Sequence, residues 1–117
     1  MQMTTALLIA NPCDEEEDNM AMLCCHSAQG DMFLMSRYPD EDALEITLDG
    51  EPSTLDGVKV TLSPTLLKIE IAAADADALN GDDVLEIIHN SDAADLAEVE
   101  LTLRNILRGT GTYISQL

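Results

Sequence analysis

Val58-Lys59-Val60-Thr61-Leu62-Ser63-Pro64-Thr65-Leu66-Leu67-Lys68-Ile69-Glu70-Ile71 is the stretch that decides the fold class of this chain. Val58, Val60 and Leu62 alternate with Lys59 and Thr61, and Leu67, Ile69 and Ile71 alternate with Lys68 and Glu70. A two-residue period places the apolar set on one face of a strand and the polar set on the other. Ser63-Pro64-Thr65 between the two runs is a turn, because proline fixes φ and cannot donate to a ladder. The segment reads as a β-hairpin with one buried face.

Working outward, residues 44–48 repeat the pattern: Leu44, Ile46 and Leu48 alternate with Glu45 and Thr47, and Asp49-Gly50 ends the run. A polar stretch with Pro52 and Asp56-Gly57 connects it to the hairpin. Residues 20–26 and 32–37 read as a second hairpin, turned by Gln29-Gly30-Asp31. In its first strand Met20, Met22, Cys24 and His26 share one face, and Ala21, Leu23 and Cys25 the other. Residues 4–10 are a short apolar run read as a strand that Asn11-Pro12 breaks. Toward the C-terminus, residues 72–79 are alanine-rich and helix-favouring, with Asn80-Gly81 as a stop. Residues 84–89 form a strand apolar on both sides except at Glu86, which suits an interior position.

The last element is a helix over residues 92–108. Ser91 or Asp92 caps it, and Asp95 adds favourable charge in the first turn. Leu96, Val99, Leu103, Ile106 and Leu107 make one apolar stripe. Arg104 and Arg108 sit near its C-terminal end, and Gly109 terminates it. The expected fold is α+β: a single domain over residues 1–117, with a mostly antiparallel sheet of six or seven short strands. The C-terminal helix packs on one face, and a short helix precedes the last strand.

Around this apolar frame the charge is lopsided: 23 acidic residues face five basic ones, a formal net charge of -18. Apolar residues still make up 46% of the chain, too many for an acidic disordered segment. Such a surface repels nucleic acid and anionic membrane and attracts basic proteins. With 3% aromatics, base stacking has no platform. No apolar run approaches the ~20 residues of a membrane helix. Residues 1–10 lack the basic region and the length of a secretory signal, so the expected location is cytoplasmic.

Chemistry-bearing constellations are sparse. Cys13, Cys24, Cys25 and His26 invite a metal reading, but adjacent strand residues point to opposite faces, and three cysteines make a poor disulfide framework. Small buried thiols are the plainer reading, and His26 and His89 read as ordinary strand-end residues. Asp75, Asp77 and Glu86 fit positions one, three and twelve of a calcium loop, but Leu79 and Asn80 stand where an oxygen ligand and a glycine are needed. A nucleophilic Cys24 or Cys25 lacks a visible base. The expectation is a non-enzyme with no cofactor and no metal.

The acidic segments remain. Asp14, Glu15, Glu16, Glu17 and Asp18 are five consecutive carboxylates that cannot be buried, and Asp40, Glu41 and Asp42 form a second acidic turn. Read plainly, both are solvated loops. Read functionally, they steer a basic partner, since opposite charge raises association rates toward ~10⁸–10⁹ M⁻¹s⁻¹ at low salt.

From Phe33 onward the order of features resembles the immunity protein 10 family of bacterial polymorphic toxin systems. The resemblance runs through Phe33-Leu34-Met35-Ser36-Arg37, residues 44–48, Leu55-Asp56-Gly57-Val58, the hairpin, residues 72–81 and residues 84–88. It ends in Leu101-Thr102-Leu103-Arg104-Asn105-Ile106-Leu107-Arg108-Gly109. It implies a bacterial, non-catalytic cytoplasmic protein that binds and neutralises a cognate toxin. The eight acidic residues of the two turns are then the expected toxin-binding contacts. The expected partner is a basic toxin domain, with no nucleic acid and no membrane, and a homodimer is left open. The alternative is an acidic structural or assembly domain adapted to high salt, which fits a chain whose only lysines are Lys59 and Lys68.

Overall fold

The computed structural model describes residues 1–6 and 8–117. The hairpin is present: strands β7 (Val58–Leu62) and β8 (Leu66–Glu70) pair antiparallel, with Val60 opposite Ile69 and Leu62 opposite Leu67. Ser63 closes the turn, its N–H donating to Leu66 O at 2.8 Å. Strand β9 (Val84–Ile88) continues the meander beside β8. The sheet is completed by two strands pairing in parallel, β1 (Gln2–Thr4) beside β9 and β10 (Gly111–Ser115) beside β7. The order is β1-β9-β8-β7-β10, so β9 does lie inside a sheet.

A second five-stranded sheet is antiparallel throughout and strictly sequential. It comprises β2 (Ile9–Asp14), β3 (Met20–His26), β4 (Met32–Arg37), β5 (Leu44–Leu48) and β6 (Glu51–Leu55). The α+β class, the mostly antiparallel pairing and the C-terminal helix are as expected. The strands number ten among the described residues, in two sheets, because three lie where the sequence signals something else.

Asn11-Pro12 does not end a strand; both residues lie inside β2. Pro12 is tolerated because β2 is an edge strand and its register shifts between Asn11 and Asp14. The expected strand over residues 4–10 is instead divided between the end of β1 and the start of β2, and its Leu7 lies outside the described residues. The polar stretch with Pro52 is β6, again an edge, where polarity and a missing N–H cost little. β10 follows the helix that was expected to be the last element.

Each sheet buries one alternate set of side chains in a shared core. Sheet one contributes Met3, Val58, Val60, Leu62, Leu67, Ile69, Leu85 and Ile87; sheet two contributes Leu23, Cys25, Phe33, Met35, Leu44, Ile46 and Leu48. Helix α1 (Ala93–Leu107) adds Val99, Leu103, Ile106 and Leu107 and packs against β2, β3 and β4 of one sheet and β10 and β7 of the other. Its cap is Asp92, whose Oδ1 accepts from Asp95 N at 2.8 Å. Ser91 instead contacts His89 Nδ1 at 3.1 Å. The alanine-rich segment is a 3₁₀ helix over Ala73–Leu79, ended by Asn80 in the left-handed region, and packs on β5 and β6. No carboxylate is buried among the described residues.

Candidate protein-binding surface

A sequential meander puts alternate turns at the same end of its sheet. The β2–β3 and β4–β5 connections therefore lie together, and they are the two acidic segments. The first is more ordered than a solvated loop. Asp14 caps a 3₁₀ helix over Glu15–Glu17, its Oδ1 accepting from Glu16 N at 3.1 Å. Asp18 and Asn19 follow with φ of 56° and 63°, a left-handed geometry that short polar side chains tolerate, and Asn19 N donates to Asp14 O at 2.9 Å. Glu15, Glu16, Glu17 and Asp18 stay exposed.

Asp18, Asn19, Tyr38, Pro39, Asp40 and Glu41 line one open depression. Three of the eight expected contacts, Asp18, Asp40 and Glu41, are thus brought together from separate turns. Asp14, Glu15, Glu16, Glu17 and Asp42 stand on the same turns outside it. Arg37 fixes the arrangement. Its Nε and Nη2 donate to Glu41 O at 3.1 and 3.0 Å, and its Nη1 donates to Ile106 O at 3.3 Å and to Arg108 O. One guanidinium therefore ties the acidic turn to the C-terminal end of α1, where carbonyls lack intrahelical partners. Asn105 makes a parallel tie, donating from Nδ2 to Pro12 O at 2.9 Å.

Beside the acidic end lies a surface that the sequence reading did not single out. The face of sheet two turned away from the core carries Met20, Met22, Cys24, Met32 and Leu34, all half-buried, and Ile9, 46% exposed. Cross-strand register aligns Ile9, Cys24, Leu34 and Thr47 in one row. Met20, Leu34 and Ser36 share a groove with Tyr38, Glu41 and Glu45, so the apolar face and the acidic turn are contiguous. The available signal was that strand β3 is apolar on both faces, one more than a core requires. Methionine makes such a face adaptable, because its side chain is unbranched and polarisable.

The remaining candidates sit elsewhere. Cys25 is buried in the core and Cys24 half-buried on the opposite face. Burial pushes the Cys25 thiol up to about 11, with Cys24 adding to the shift, and burial also raises Cys24, so both stay protonated near neutral pH. Asp75 and Asp77 lie on the 3₁₀ helix and Glu86 in β9, in separate elements. Among the described residues no group of three or more His, Cys, Asp or Glu is placed to hold a metal ion. No helix among them is long and apolar enough to cross a membrane.

The geometry defines an α+β protein of two packed sheets with an apolar open face bordered by carboxylates. Compared with protein-family models, curated proteins and solved structures, the chain has no match.

Proposed function

We propose that this chain is an immunity-type protein of a bacterial polymorphic toxin system, binding a basic toxin in the cytoplasm and blocking it without catalysis. The observation that carries the reading is the convergence of two acidic turns beside the open methionine-bearing face of sheet two. Protein interfaces combine an apolar centre with a polar rim, and the two surfaces have that relation. The resemblance to the immunity protein 10 family from Phe33 onward supports the same reading. In it the carboxylates steer encounter, and Met20, Met22, Cys24 and Leu34 hold the complex once formed. Rim charges set association rates, whereas buried contacts set lifetimes.

The test is binding kinetics with the toxin domain encoded beside this chain, at low and high salt. Changing Asp14 and Asp18 to Asn and Glu15, Glu16 and Glu17 to Gln should slow association by about tenfold at low salt and flatten its salt dependence. Met22→Ser with Leu34→Ser should speed dissociation and leave association nearly unchanged. Indifference to both sets would remove this surface from the interface.

A second reading, a structural domain adapted to high salt, is favoured by carboxylates far from this end. Asp49 and Glu51 lie beyond the opposite end of β5, and Asp82, Asp83, Asp92 and Glu98 are likewise exposed. Such a domain should unfold in dilute buffer near neutral pH and refold as salt screens its self-repulsion.

A further inference from the structure

The two sheets expose four edge strands, and three are blunted. β1 is three residues long, and beside it the Met1 amine donates to Val84 O and pairs with Asp82, both at 2.9 Å. β2 carries Pro12 and a register shift, and α1 packs against it. β6 carries Glu51 and Pro52. Short length, proline, irregularity and charge are the usual protections against edge-to-edge pairing.

β10 has none of them. Its sequence, Gly111-Thr112-Tyr113-Ile114-Ser115, contains no charge and no proline, and its register with β7 is unbroken. Gly57 N donates to Thr110 O at 2.6 Å and Gln116 N to Leu62 O at 2.8 Å. The two-residue period then directs Thr112 and Ile114 toward β7, leaving the N–H and C=O of Tyr113 and Ser115 pointing outward. Among the described residues no strand lies on that side. Thr112, Ile114, Ser115 and Gln116 are exposed.

The strand is also held rigid. Tyr113 Oη and Ser115 Oγ donate to Glu100 Oε2 at 3.0 and 2.8 Å, and the Arg104 guanidinium lies 5.1 Å from the Tyr113 ring centre. An ordered edge with unsatisfied backbone groups is a template for another strand.

Charge selects the occupant. Two copies at -18 repel, so they can meet only where the surface is neutral. The outer face next to β10 is: Lys59 lies opposite Glu70 and Lys68 opposite Glu86, two cations against two anions. A basic partner is drawn to the acidic end of sheet two instead. We infer that β10 pairs antiparallel with β10 of a second copy across a two-fold axis, joining their first sheets into one ten-stranded sheet. This is independent of the toxin reading.

Sedimentation velocity of the full chain, from about 10 μM to about 1 mM, tests it. The expected result is a monomer–dimer equilibrium that tightens by about tenfold or more between dilute buffer and ~1 M salt, as the Debye length shrinks to ~3 Å. Ile114→Lys should weaken the dimer by about tenfold or more. Thr112→Lys carries the same test if the first variant does not fold. Amide exchange at Tyr113 and Ser115 should slow as dimer forms. A monomer throughout, a dimer indifferent to the folded variant, or one in which those two amides keep exchanging at the monomer's rate would each overturn the inference.

Discussion

The two sheets have five strands each and share one core, yet their outer faces have opposite characters. Sheet one balances Lys59 and Lys68 against Glu70 and Glu86, with Lys59 and Lys68 each 3.9 Å from a Glu70 carboxylate oxygen. Sheet two presents methionine, cysteine and leucine, with eight acidic residues concentrated on two turns at one end. A net charge of -18 is therefore an average over surfaces of unlike character. One sets carboxylates beside an apolar face; the other pairs opposite charges.

Because the two sheets share one core they should unfold together, and the largest expected effect tests that. Phe33 on sheet two is fully buried. Phe33→Ala should cost about 3–5 kcal/mol, with both sheets lost in one urea transition. Two separate transitions would divide the molecule into independent halves.

Next in size is Gly111→Ala, which lies in sheet one where β10 meets α1. An added Cβ would overlap the Val58 carbonyl oxygen and lie 2.8 Å from Leu107 Cδ2, because β10 passes close to both. The expected loss is about 1–3 kcal/mol by chemical denaturation. Under the proposed function, association with a toxin uses the other sheet and should be unchanged in the folded fraction.

Glu100→Gln weakens the clasp that holds β10 to α1 and should cost about 1 kcal/mol. Hydrogen bonds from Ser115 and Tyr113 and the nearby Arg104 hold the Glu100 carboxyl below its usual range. Its contribution is present above the ordinary carboxylate range and fades as pH falls through the lowered folded value. Tyr113, pushed up to about 12 chiefly by burial, stays a donor across that window.

The smallest expected effect is at His89, which follows β9 and is buried. Loss of solvation pushes its imidazole below the ordinary 6.5, against an opposing pull from the backbone at Ser63 and Leu66. The unfolded chain therefore takes up a proton first, and stability falls as pH drops below about 6.5. A His89→Gln variant should lose this slope; equal pH profiles from pH 7 to 5 would show that the ring titrates freely in the folded state.

How much of this was legible follows from what each strand needs. Strands over Met20–His26, Met32–Arg37, Leu44–Leu48 and Val58–Leu62 were readable to the residue, since the last two alternate, the first two are short apolar runs, and each ends at a turn signal. β6 was hidden because an edge strand can be polar and keep Pro52. β10 was hidden because its partner β7 lies about fifty residues away, and parallel pairing leaves no hairpin signature. The acidic residues were visible as a run and a turn, but their meeting around Tyr38 depends on which end of the meander each turn occupies. Arg37 looked like an ordinary strand end; its bonds to Ile106 and Arg108 cross 69 and 71 residues of chain.

One feature of the topology acts in time. Sheet two is strictly sequential, whereas sheet one needs strands from both ends of the described chain before it can close. On a ribosome adding ~5–20 residues per second, residues 9–55 can zip into a meander while β10 is still unmade. That nascent sheet has apolar side chains on both faces and nothing yet to cover the inner one. The carboxylates on its two acidic turns should then keep neighbouring nascent chains apart by repulsion, as gatekeeper charges do beside exposed strands. The same acidic end would guard the protein during its synthesis, ahead of any binding role proposed for it.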